Sequence, residues 1–147
     1  MNSKITAIVF LLVVFFLFAG CTNKIIGPKE IKQESSISIT FDVKGSSGQL
    51  LKEVKISPDG KIQATGYSKS TAILSKEELQ DLGNFILDRA FFIRYFSVEE
   101  EATGSPNISS LNIIIDASSR NVSWGKDNLA DQDKLEEIAE KVESFVK

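Results

Sequence analysis

The sequence predicts an α+β fold of order βββαββα: one mainly antiparallel five-stranded sheet with two helices packed on one face. Three stretches carry that prediction. In residues 37–43, Ile37, Ile39, Phe41 and Val43 alternate with Ser38, Thr40 and Asp42, the period of two that gives a strand one buried face. Ser75 and Glu78 form a Ser-x-x-Glu capping box ahead of an apolar stripe at helical spacing. Leu135, Ile138, Ala139, Val142, Phe145 and Val146 repeat the helical spacing at the end of the chain.

The elements follow in chain order. After the strand at 37–43, "KGSSG" (Lys44 to Gly48) reads as a turn. The strands "LLKEVKI" and "KIQATGY" flank "SPDG", where Pro58 presets φ and Gly60 accepts positive φ, so the pair is predicted as a hairpin. In the first helix Leu74 and Leu79 are placed for a hydrophobic staple, and Leu79, Leu82, Phe85, Ile86 and Ala90 make the stripe. Gly83 interrupts that stripe at a cost of about 1 kcal/mol relative to alanine, which suggests a close neighbour. "FFIRYF" (Phe91 to Phe96) either continues or ends the helix, and periodicity does not choose. "SLNIIIDA" and "NVSWGK" predict two further strands around a turn at "SSR". In the closing helix Glu137 and Lys141 stand four residues apart for an exposed ion pair.

The single cysteine sits behind an apolar block. Lys4 precedes the run Ile5 to Ala19, apolar apart from Thr6, which is too short for the roughly 20 residues that cross a bilayer and suits a secretory leader. Phe18-Ala19-Gly20-Cys21 resembles a prokaryotic lipoprotein signal, with Phe18 in place of the usual leucine. The resemblance implies cleavage before Cys21 and a diacylglyceryl thioether on its sulfur. Two acyl chains, at about 0.8 kcal/mol per buried methylene, make a stable anchor. The competing readings are an uncleaved membrane anchor with a free thiol and an ordinary secretory cleavage. The organisation expected is a signal peptide over 1–20, a flexible tether over 21–36 and one α+β domain over 37–147. A tether of that length, at about 3.3 Å per residue, reaches roughly 50 Å.

Composition narrows the function. The chain has 147 residues, 25% of them charged, a net charge of −3 and no histidine. Without histidine there is no Ser-His-Asp or Cys-His nucleophile and no imidazole metal ligand. One cysteine gives no internal disulfide and no CxxC site. The lysines are scattered and the balance is acidic, so nucleic acid is not expected as a partner.

The remaining candidates each have a plainer reading. Glu99-Glu100-Glu101, with Asp116 a strand away, is a carboxylate cluster, but consecutive side chains diverge and no Asp-x-Asp-x-Asp-Gly loop accompanies them. A solvated loop explains them. Ser68-Lys69-Ser70 and Ser75-Lys76 lack the buried lysine that a Ser-Lys dyad needs. Gly45 to Gly48 is a turn without a phosphate-loop Lys-Ser/Thr. Phe91, Phe92, Tyr95, Phe96 and Trp124 could line a ligand groove or a partner-facing patch, but a domain of this size needs such side chains for its core, and core packing is the plainer reading. Tyr95 and Trp124 carry polar handles and are expected to be partly exposed, as a candidate partner surface. Asn107 and Asn121 open N-x-Ser sequons, acceptor sites if the chain is exported from a source that glycosylates.

Residues 37–146 resemble emfourin-type proteins, small prokaryotic inhibitors of thermolysin-like metalloproteases. The stretches that carry the resemblance are "FDVKGSSGQLLKEV", "LSKEELQDLGNFILDRAFF", "LNIIIDASSRNVSWG" and the closing helix. The arm "SPDGKIQATGYSKSTA" is longer than in that family, and "GSPNISS" lacks its acidic-then-aromatic signature, so no inhibitory residue carries over. The expectation is a lipid-anchored, extracytoplasmic, non-catalytic domain without a cofactor. It would bind the membrane through Cys21 and a protein or peptide at the envelope, with inhibition of an exported protease as the sharpest form. The alternative is a structural or assembly lipoprotein.

Overall fold

In a computed structural model of the chain, the residues described are 27–94, 106–125 and 131–147. The strands are β1 (Ile37–Gly45), β2 (Leu50–Ile56), β3 (Lys61–Thr65), β4 (Thr71–Ile73), β5 (Asn107–Ile115) and β6 (Ser118–Trp124). The helices are α1 (Lys76–Asp88), between β4 and β5, and α2 (Gln132–Glu143) at the end. The fold is α+β, with one sheet of order β4-β3-β2-β1-β5-β6 whose neighbours all pair antiparallel.

The sheet has six strands where the sequence predicts five. The extra one, β4, is three residues long and pairs with β3 through Ile62↔Ala72. A strand that short has no alternation to read, and only the neighbouring β3 defines it. β3 in turn ends earlier than "KIQATGY" suggests. Gly66 takes φ +79 with its α-carbon against the Leu51 carbonyl, and this turns the chain back.

β1 is central because the alternation of its side chains is matched on both flanks. Ile39 pairs with Ile56 and Phe41 with Val54 on one side; Ile37 pairs with Ile115 and Phe41 with Leu111 on the other. These residues join Leu82, Ile86, Leu135, Ile138 and Val142 in one buried cluster, so both helices cover the same face. Full burial of each such side chain contributes roughly 1.5–3 kcal/mol, which holds the register against a one-residue slip. The opposite face is mainly polar, with Ile73 and Ile114 exposed on it. Thr71, Gln63, Lys55, Thr40, Asn112 and Asn121 stand in register across it from β4 to β6.

α1 begins as predicted. Glu78 N–H donates to Ser75 Oγ, Ser75 N–H donates to Glu78 Oε2, and Leu74 and Leu79 are both buried. It ends before "FFIRYF". Ala90 adopts φ +55, its N–H donates to Leu87 O and Phe91 N–H donates to Ile86 O, the two bonds of a Schellman cap. Phe91 and Phe92 then turn inward, edge to face at 5.3 Å.

Three further expectations change. The turn between β5 and β6 is Asp116-Ala117, not Ser118-Ser119-Arg120: Asp116 takes φ +53, which suits a two-residue hairpin loop and which aspartate tolerates. Glu137 does not pair with Lys141. It meets Arg89 at 2.8 Å and Lys134 at 3.0 Å, while Lys141 lies over the Phe145 ring. The chain expected to serve as a tether up to Ser36 packs on the fold from Gly27 onward. Gly27 abuts Phe92, Ile31 abuts Gly83, and Gln80 Nε2 donates to Lys32 O.

Candidate functional site

A polar cluster joins the end of α2 to the sheet. Tyr67 Oη donates to Glu143 Oε1 at 2.7 Å, Lys147 Nζ meets Glu143 Oε2 at 2.7 Å, and Lys52 Nζ lies 3.8 Å from the same carboxylate. Lys52 also stands 5.2 Å from the centre of the Tyr67 ring. Only 14% of the Glu143 side chain is exposed. Burial pushes the Glu143 carboxyl up, but the bonds from Lys147 and Tyr67 outweigh it and leave it below its ordinary value. Burial, and then the hydrogen bond to Glu143, raise the Tyr67 hydroxyl well above its own. Tyrosine here is a donor that does not ionise near neutrality, and glutamate is a charge already neutralised by lysine. The cluster ties three elements together. Lys69 N–H donating to Val146 O beside it reinforces the tie.

A second network runs along the seam between the helices. Arg89 stacks over Phe85, donates to Glu137 and caps the Phe85 carbonyl; Arg94 meets Asp131 at 2.8 Å. Lys134 holds the carboxyls of Glu137 and Asp133 below their ordinary value. These ion pairs are half exposed, and pairs of that kind contribute about 1 kcal/mol or less each.

A shallow cleft of about 440 Å³ opens at the start of α1, between Ser36, Asp59, Leu74 and Gln80. Asp59 forms its rim. Lys61 and the Ser57 hydroxyl, each at 2.6 Å, bring the Asp59 carboxyl down to about 2. That carboxylate is ionised at neutral pH and already engaged in its own turn. On the other side of Asp59 lies the open face of the sheet. There Asp42 and Glu53 oppose each other across β1 and β2, each beside a lysine: Lys44 at 3.6 Å and Lys55 at 2.9 Å.

Among the described residues, those singled out from sequence do not converge. Cys21, Tyr95 and Glu99-Glu100-Glu101 lie outside the described residues. Trp124 is buried, 4% exposed, with its ring stacked 6.3 Å from Phe41, so the exposure expected of it is corrected: it is a core residue closing the β6 edge. Asn107 and Asn121 are exposed, and Asn121 shares the open face with Asn112. Ser75 is the helix cap, and Asp116 accepts from Ser36 N–H and Ser35 Oγ. Among the described residues no three His, Cys, Asp or Glu side chains come together as a metal site. No described helix is long and apolar enough to cross a membrane. The Tyr67–Glu143 pair and the polar row of the open face have no local sequence signature; each is assembled from residues far apart in the chain.

No protein-family model matches the chain, and no curated protein matches it.

Proposed function

We propose that this chain is a lipid-anchored, extracytoplasmic binding domain without a catalytic role, and that it presents the open face of its sheet to a protein partner. The observation that carries the binding part is the flat polar row Gln63, Lys55, Thr40, Asn112 and Asn121, which no helix covers among the described residues. The Phe18-Ala19-Gly20-Cys21 pattern supports the anchor, and an anchor raises effective concentration near membrane partners. The engaged state of Glu143, Asp59 and Asp116 supports a structural use of the described carboxylates. Inhibition of an exported protease, in the manner of emfourin-type proteins, is the sharpest form of this reading.

The test uses the chain from Gly27, because residues 27–36 pack on the domain. The protein and a Lys55→Glu/Asn112→Arg variant are immobilised and exposed to the source's envelope and secreted fractions. Retention of an exported protease by the first and not the second, with inhibition when the free domain is added, supports the proposal. Equal capture by both sinks the open face as the binding surface. Capture of wall-assembly components instead favours a structural lipoprotein.

A further inference from the structure

Gly27 marks where the anchored end of the chain meets the fold. A β-carbon added there would collide with Phe92 Cβ and sit 3.5 Å from Phe92 Cα, so the backbone lies directly on the residue that follows the α1 cap. From that point the chain runs back along α1, past Gly83 and Gln80, to Ser36 on Asp116, and contributes no slack. Gly27 stands six positions after Cys21 in sequence. Fully extended, that stretch reaches about 20 Å, less than half the roughly 50 Å expected of a tether running to Ser36. Ile93, the immediate neighbour of Phe92, is 67% exposed. Lys24 and Lys29 flank Gly27 in sequence, with Glu30 the nearest acid.

Resting on the reading that Cys21 carries the lipid, we propose that the partner of the face around Gly27 and Ile93 is the lipid surface itself, with Ile93 seated in the headgroup region. A domain of about 110 residues has a radius of gyration near 13 Å, so it is wider than a 20 Å tether is long. Such a tether cannot turn the far side of the domain to the membrane, and it keeps the face at which it attaches within about 20 Å of the headgroups. An exposed isoleucine there gains by burial in the interface, and the lysines suit anionic lipid.

The experiment uses the full chain, produced with its leader in a lipidating bacterium and reconstituted into phosphatidylethanolamine vesicles containing phosphatidylglycerol. Mass spectrometry reads acylation of Cys21. With that sulfur in a thioether, Ile93→Cys and Lys76→Cys each offer one thiol for a fluorophore, the first just beyond the C-terminal cap of α1 and the second at its start, with a helix about 20 Å long between them. Lipids with a nitroxide on the headgroup should quench the label at position 93 about threefold or more strongly than the label at 76. A Gly-Ser spacer inserted between Ile26 and Gly27 should reduce quenching at 93 to the level at 76. Equal quenching at the two positions with Cys21 acylated overturns the apposition and leaves the anchor standing, as does a spacer without effect. An unacylated Cys21 with neither label quenched overturns both.

Discussion

Ser36 and Asp116, eighty residues apart in sequence, bind each other twice: Ser36 N–H donates to Asp116 Oδ1 at 2.8 Å, and Asp116 N–H donates to Ser36 O at 2.9 Å. Ser35 Oγ adds a third bond, to Asp116 Oδ2 at 3.0 Å. The hairpin loop between β5 and β6 thus holds the start of β1 and fixes where the preceding segment enters the fold. Asp116→Ala should lower stability by about 2 kcal/mol, because the bonds are lost and alanine is strained at positive φ. Asp116→Asn keeps an acceptor and tolerates that backbone, so it should cost less than half as much. Urea unfolding gives the two values. Hydrogen exchange should accelerate over residues 31–36 in the alanine variant, and unchanged exchange there would contradict the role assigned to Asp116.

Ala90 sits at the left-handed position of a Schellman cap, where a β-carbon costs about 1 kcal/mol. Ala90→Gly should therefore raise stability by about 1 kcal/mol, against the usual cost of adding glycine. Thermal unfolding of the variant shows the sign directly.

Tyr67→Phe should cost about 1–2 kcal/mol at neutral pH, the worth of a partly buried hydrogen bond to a charged acceptor. The pH dependence has two arms. The hydroxyl of Tyr67 is raised in the folded state, so its contribution is complete below the ordinary value of 10 and declines as pH rises above it. The variant should lose that part of the alkaline decline. Glu143 is depressed in the folded state, so its contribution is present above its ordinary 4.5 and is lost as pH falls through the folded value. Glu143→Gln should flatten the acid arm of a stability profile measured by urea unfolding.

Trp124 is the only tryptophan, so fluorescence reports its burial alone. Native emission should be blue-shifted relative to the unfolded chain, and iodide should quench it weakly. Trp124→Ala should cost about 3–5 kcal/mol through the cavity left beside Phe41. Strong iodide quenching in the native state would contradict the packing.

Gly83 stands where Ile31 and Ile37 press on α1: an added β-carbon would lie 2.7 Å from Ile37 Cδ1 and 2.9 Å from Ile31 Cγ1. Gly83→Leu should cost about 1–3 kcal/mol by overpacking. Gly83→Ala should cost less, since the helix gains about 1 kcal/mol while the isoleucine ends shift. The difference between the two variants in urea unfolding measures how tightly the 27–36 segment is held.

Features that depend on near neighbours are legible along the chain. The alternation from Ile37 to Val43, the Ser75–Glu78 box, the Pro58–Gly60 turn and the stripe from Leu135 to Val142 are local patterns, and each forms the element it predicts, while Phe145 and Val146 fall just past the end of α2. The interruption at Gly83 also announced a close neighbour, though not which one. Tertiary structure alone decided what depends on contacts between distant residues. β4 exists because β3 offers it an edge, and the β5–β6 turn falls at Asp116 because that carboxylate serves Ser36. Glu137 leaves Lys141 for Arg89 on another helix, and Trp124 is buried because Phe41 is there to stack on it. The polar groups of the candidate site belong to this second class. A side chain's type limits which bonds it makes, but its partner is whichever group the folded chain brings within about 3 Å, and no local pattern encodes that distance.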